Sequence, residues 1–201
     1  MSAIEIRSLS SVPVEPWRNG GGVTQTLAAS DNAWRVSVAQ VERDGPYSRF
    51  DGIARISFVL GGNGVTLVDG ASIVRLLPFT AAQYDGGAAW NASLVDGPVT
   101  ALNVMTETGH CRARVAAIVD TLSVSPGCTA IVIALDSECS YRGAGDTNAS
   151  GTLAPGQFMV ACEVGRPLLL APATYARTAP QRARPPVLVT IEPATAPGAI
   201  D

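Results

Sequence analysis

The chain has 201 residues, 47% of them hydrophobic and only 15% charged, a balance that supports a packed core and excludes disorder over most of its length. Its formal net charge of −3 supplies no broad cationic field, so neither a nucleic acid nor a membrane is expected as partner. All 14 basic residues are arginine, which removes lysine nucleophiles and Schiff bases from consideration.

Met1–Arg7 carries neither a basic stretch nor an apolar run, and no later run approaches the roughly 18 apolar residues that a bilayer-spanning helix needs. The expectation is a cytoplasmic protein. Pro16–Thr24 is the first unusual segment. Its consecutive glycines, Gly20–Gly22, free the backbone for close approach of a ligand or a neighbouring strand, and Asn19 can both donate and accept hydrogen bonds. Neither a Lys-Ser/Thr pair nor a helical pattern follows, so this is not a phosphate loop. Trp34–Ala39 alternates as a strand does, with Trp34, Val36 and Val38 on one face and Arg35, Ser37 and Ala39 on the other. A short helical turn is expected over Pro46–Phe50. Strand-length runs follow at Arg55–Leu60, Val65–Val68, Ile73–Leu77, Leu94–Val95, Val99–Met105 and Arg112–Val119, and Asp69-Gly70 predicts a two-residue hairpin. Thr121–Val124, Ala130–Leu135, Gln157–Cys162, Pro167–Leu170 and Val187–Ile191 continue the series. No window shows a capped amphipathic helix, and many short strands between turn residues predict an all-β sandwich or barrel. Leu77–Tyr84 and Leu153–Val160 are each a proline-marked corner leading into a strand. This faint echo points to two similar lobes, at 1–110 and 111–192, with an Ala/Pro-rich tail at 193–201.

The four cysteines, Cys111, Cys128, Cys139 and Cys162, form no CxxC pair and read as small buried apolar side chains rather than disulfides, zinc ligands or nucleophiles. The single histidine, His110, falls in a connector between two strand runs. No Gly-x-Ser-x-Gly elbow is present to arm a hydrolase serine. Arginines on strands are the more informative signal. Arg35 shares a face with Ser37, and Arg55 opens the apolar run Ile56–Leu60. An arginine inside a β lobe either pairs with an internal carboxylate, here Asp44 or Asp51, or presents its planar fork to a ligand carboxylate. Trp17 and Asn19 join these as candidate contacts.

Four ordered segments resemble signatures of the HutD/Ves family. Pro16-Trp17-Arg18-Asn19-Gly20-Gly21-Gly22 resembles its Pro-Trp-Lys/Arg-Asn-Gly-Gly-Gly motif, and Trp34-Arg35-Val36-Ser37-Val38-Ala39 its Trp-Arg-x-Ser-x-Ala strand. Asp44–Arg55 is similar to an Asp-Gly-Pro-Phe-Ser-x-Phe-Pro-Gly-x-x-Arg stretch, with Asp51 where proline is usual, and Gly97–Met105 to Gly-Pro-Val-x-x-Leu-Asn-Val-Met. The resemblance implies a two-lobed cupin fold (bicupin, RmlC-like jelly roll) of antiparallel sandwiches, often a homodimer, with no metal and no cofactor. One histidine cannot supply the two close histidines, glutamate and later histidine that cupin enzymes use for iron, manganese or zinc. The resemblance also places Asn19, Arg55 and Asn103 as polar pocket contacts, with Trp17, Arg35 and Ser37 nearby.

The functional expectation is therefore a non-metal cupin protein that binds a small anionic metabolite, a carboxylate such as urocanate, formylglutamate or formate, and governs histidine utilisation. No catalytic residue is assigned. The alternative is a metal-independent isomerase or hydrolase whose acid or base would come from Tyr47, Asp51, Asp44 or Glu107. A scaffold with a filled interior is the third reading.

Overall fold

The computed structural model describes residues 4–31, 33–173 and 183–194, apart from the side chains of residues 146–148. In chain order its strands are β1 (Ile4–Ser8), β2 (Glu15–Pro16), β3 (Gly22–Ser30), β4 (Trp34–Val41), β5 (Gly45–Pro46), β6 (Ile53–Gly61), β7 (Val65–Asp69), β8 (Ser72–Leu76), β9 (Ala81–Asp85), β10 (Asn91–Leu94) and β11 (Val99–Glu107). They continue as β12 (Cys111–Ala117), β13 (Leu122–Val124), β14 (Thr129–Ile133), β15 (Cys139–Gly143), β16 (Asp146–Leu153), β17 (Gln157–Ala161), β18 (Leu168–Pro172) and β19 (Val187–Pro193). A single 3-10 turn, Leu9–Ser11, follows β1.

Four sheets form two double layers. In the first lobe the six-stranded sheet β2-β3-β4-β11-β6-β9 lies over the four-stranded sheet β5-β10-β7-β8. In the second, β1-β17-β14-β19-β12 lies over β13-β18-β15-β16. The first strand of the chain thus pairs, Ile4 opposite Ala161, in the sheet of the second lobe.

Three apolar clusters hold these layers. One fills the first lobe through Val59, Val65, Leu67, Leu76, Trp90 and Ala101, and another fills the second through Val132, Met159, Leu153 and Leu170. The third lies between the lobes. Val36, Ile56, Phe58, Leu60, Leu102 and Val104 from the six-stranded sheet meet Ile131, Ile133, Phe158, Val187, Val189 and Ile191 from the five-stranded one. Both faces of β6 and β11 are therefore covered, which is why their sequences read as almost unbroken apolar runs rather than a strict alternation.

Several local expectations change. Pro46–Phe50 forms no helical turn. The Tyr47 N–H donates to the Trp90 carbonyl at 2.9 Å and the Phe50 N–H to the Gly86 carbonyl at 2.8 Å, so the backbone bonds go to the facing segment instead of closing locally. The hairpin at Asp69-Gly70 is present one residue along. Asp69 pairs with Ser72, leaving Gly70 and Ala71 as the loop, and the φ of 56° at Gly70 suits the turns that follow strand twist. β19 runs through Pro193, and the tail beyond Ala194 lies outside the described residues. His110 sits exposed in the β11–β12 turn, its Nδ1 3.5 Å from Glu107 Oε2. No helix among the described residues is long and apolar enough to cross a membrane.

The cysteines are free, but they are not uniformly buried: Cys139 is enclosed, Cys111 and Cys128 are half-buried, and Cys162 is exposed. Burial pushes the Cys139 thiol up to about 11 and also raises those of Cys111 and Cys128. With an aromatic disulfide reagent at neutral pH, Cys162 should react first and Cys139 only on unfolding. Mass mapping of the labelled peptides reads this directly, and early modification of Cys139 would contradict the packing described.

Candidate functional site

Period-two alternation sorts the six-stranded sheet into an apolar flank facing the second lobe and a flank facing the first lobe's own interior. On that inner flank, ladder register aligns two polar rows. Arg55 on β6 lies opposite Tyr84 on β9 and Met105 on β11, and Met105 lies opposite Arg35 on β4. One step along, Ser57, Asn103, Ser37 and Thr26 follow across β6, β11, β4 and β3. A further step reaches Val59, Ala101 and Ala39, where the apolar core begins. The lobe interior is consequently dry at one end and polar at the other.

The polar end opens into a cavity of about 550 Å³, within the range of small-molecule sites. Its lining includes Trp17, Asn19, Arg35, Ser37, Arg55 and Asn103, so the structure brings together all six residues singled out from the sequence. Glu15, Pro16, Arg18, Thr24, Tyr47, Ser48, Phe50 and Met105 complete the wall. Three arginines against one glutamate give a locally positive cleft in a chain that is negative overall.

Arg55 is nearly enclosed, only 5% exposed. Its guanidinium carbon lies 5.3 Å, 5.9 Å and 5.2 Å from the ring centres of Tyr47, Phe50 and Tyr84. Among the described residues it makes one hydrogen bond, from Nη1 to the Ser48 carbonyl at a long 3.4 Å, and its buried Nε has no acceptor. Neither carboxylate considered as an internal partner reaches it. Asp44 accepts from the Leu94 N–H at 2.8 Å, and Asp51 lies 3.8 Å from Arg49. Arg35 is held less tightly, with Nη2 3.1 Å from the Met105 sulfur and its guanidinium 5.7 Å from the Phe50 ring centre.

The mouth is built by the glycine segment. Trp17 Nε1 donates to Thr24 Oγ1 at 2.7 Å, and its ring meets Tyr47 edge-on at 6.1 Å. Asn19 borders the cavity with its amide already engaged: Oδ1 accepts from the Gly21 N–H within the loop at 3.0 Å, and Nδ2 donates across to the Pro46 carbonyl of β5 at 3.2 Å. Gly22 is a close-approach glycine, since a Cβ there would run into the Gln40 carbonyl of β4. Gly22→Ala is expected to lower stability by about 1–3 kcal/mol through overpacking. Urea denaturation measures this, and an unchanged midpoint would show that the strands can separate there without penalty.

Of the four groups considered for acid–base work, only Tyr47 lines the cavity; Asp44, Asp51 and Glu107 do not. Burial, reinforced by Tyr84, pushes the Tyr47 phenol above its ordinary range, with Arg55 opposing. Burial likewise raises Tyr84. Both are protonated phenols at neutral pH. Among the described residues, no group of three or more His, Cys, Asp or Glu side chains is arranged to hold a metal ion.

Sequence reasoning missed Ser57 and Tyr84. Ser57 could have been found, because it lies two positions from Arg55 on the same strand face. Tyr84 could not: a strand is expected after the Leu77–Phe79 corner, but the place of Tyr84 beside Arg55 depends on strand pairing.

Fold and pocket together define a cupin-type, all-β protein with a cationic cavity in its first lobe. Residues 9–171 match HutD, and the chain belongs to the HutD family. It is 34% identical over 121 residues, 57% of this chain and 64% of the relative, to an uncharacterized 21.2 kDa protein in the hutC 3′ region of Pseudomonas putida. Protein Ves of Citrobacter koseri is 32% identical over 123 residues, 56% of this chain and 62% of Ves. The matches thus span less than two thirds of either relative. HutD of Pseudomonas fluorescens SBW25, solved in a formate condition, superposes with a TM-score of 0.74 at 19% identity, covering 95% of this chain and 99% of that one. The likeness is one of fold.

Proposed function

We propose that the chain binds a small metabolite carboxylate in the first-lobe cavity and acts as a ligand-responsive regulator of histidine utilisation. The carrying observation is Arg55, a nearly enclosed guanidinium that has, among the described residues, no carboxylate partner and no acceptor for its Nε. Burying a cation is unfavourable unless something answers it, and a planar carboxylate matches the guanidinium fork. Asn103 and Ser37 border the same space and add hydrogen-bonding capacity. A volume of about 550 Å³ far exceeds formate, which favours urocanate or formylglutamate as the occupant. The pathway reading draws on the relative named for the hutC 3′ region and on HutD studied in a formate condition.

Calorimetric titration with urocanate, formylglutamate and formate tests the reading. Binding of one of the larger two, accompanied by a raised melting temperature, is expected. Absence of both heat and thermal shift for all three would overturn it.

A further inference from the structure

Behind the cavity wall runs a short chain of hydroxyl groups that ends on a cavity residue. Ser57, 1% exposed, donates its hydroxyl proton to Asn103 Oδ1 at 2.7 Å. The Tyr84 hydroxyl lies 2.8 Å from the same Ser57 oxygen. A serine has one proton to give, and it is committed to Asn103, so Tyr84 is the donor to Ser57. The order is Tyr84 to Ser57 to Asn103. It leaves Nδ2 of Asn103 with no protein acceptor among the described residues, in a side chain that lines the cavity.

The opposite direction is disfavoured by counting protons. If Asn103 turned its amide over, Nδ2 would donate to Ser57, and whichever way the Ser57–Tyr84 bond then ran, one of the two hydroxyl protons would have no acceptor in the chain of groups. Ser57 is enclosed and Tyr84 is buried against Trp90 and Arg55, so an unmet donor on either is unfavourable. The Ser57 hydroxyl, beside the cavity on the same face of the sheet, therefore fixes which end of an amide the cavity meets.

We propose that Ser57 and Tyr84 are positioning residues that determine specificity: they lock Asn103 with its N–H donors toward the ligand, so the site selects an ionised carboxylate over the corresponding carboxamide. This rests on the carboxylate-binding reading above. With Arg55 and Asn103 both presenting donors, an incoming carboxylate finds partners for its acceptor oxygens. A carboxamide brings its own N–H group against these donors and gains nothing from that end.

The test compares urocanate with urocanamide, and formylglutamate with formylglutamine, on the parent protein and on Ser57→Ala and Tyr84→Phe. Tyr84→Phe keeps the ring beside Arg55 and removes only the hydroxyl. In the parent, the carboxylate of the tighter pair should bind more strongly than its amide. In Ser57→Ala, Asn103 is free to turn, and the carboxylate-to-carboxamide ratio should fall about tenfold, with a smaller fall of about threefold in Tyr84→Phe. General loosening of the site would weaken both ligands together and leave the ratio unchanged. An unchanged ratio in the folded variants overturns the positioning role while carboxylate binding stands. If Ser57→Ala fails to fold, Tyr84→Phe decides by the same ratio. Failure of the parent to bind either carboxylate removes the binding reading itself, and the positioning role with it.

Discussion

Replacing Arg55 with methionine is expected to abolish carboxylate binding while leaving the melting temperature within a few degrees of the parent. Methionine fills the volume of the arginine stem and keeps its packing among Tyr47, Phe50 and Tyr84. What is lost in the free protein is an enclosed cation whose one hydrogen bond among the described residues is long. Its desolvation opposes folding by an amount comparable to the cation–π attraction of the rings, about 0.5–2 kcal/mol each, so the two changes largely offset. In the complex the balance differs. Losing a charge-assisted, desolvated contact should weaken binding by about 2–5 kcal/mol. Arg55→Lys should recover only part of it, because an ammonium group lacks the fork. Calorimetry and thermal melting on the same preparations separate the outcomes. Undiminished binding by Arg55→Met would sink the pocket assignment, and a collapse in stability would make Arg55 a structural residue.

The second large effect is expected at the seam between the lobes. Phe58 is 1% exposed, sits in the shared apolar cluster and meets Phe79 edge-on with ring centres 5.9 Å apart. Phe58→Ala should cost about 3–5 kcal/mol. Because residues of both lobes form that cluster, the loss should register in both at once. The molecule carries separate reporters: its three tryptophans, Trp17, Trp34 and Trp90, lie in the first lobe, and the enclosed Cys139 lies in the second. Tryptophan fluorescence and Cys139 labelling should follow the same denaturant curve and shift together in the variant. Two displaced transitions would show that the lobes unfold independently.

Most of the strands were legible because burial leaves a period. Trp34–Ala39 announced its two faces directly, and Arg35 and Ser37 do lie together on the cavity side. Arg55 was legible as an arginine out of place at the head of an apolar run. Its surroundings were not, since Asp44 and Asp51, close in sequence, turn to Leu94 and Arg49. Tyr84 and Phe50 reach Arg55 from β9 and from the segment after β5, a convergence set by register and loop path, which no single-chain period encodes. The misread turn at Pro46–Phe50 has the same origin, because its backbone bonds are made to residues about 40 positions later. Of the weaker strands, β1, β3 and β9 are rich in small, polar or charged residues, and their membership of a sheet is supplied by the neighbours they pair with.

The placement of β1 bears on how the molecule is made. A nascent chain emitted to the end of β11 holds every strand of the first lobe, yet its leading segment, Ile4–Ser8, has nothing to pair with until β17 appears roughly 150 residues later, a wait on the order of ten seconds at ordinary translation speeds. Phe58, Leu102 and Val104 are likewise without their full cover until β14, β17 and finally β19 have been made. Ile4–Ser8 is thus secured only after most of the chain that follows it, and a half-molecule ending at β11 leaves the apolar flank of its six-stranded sheet open to water.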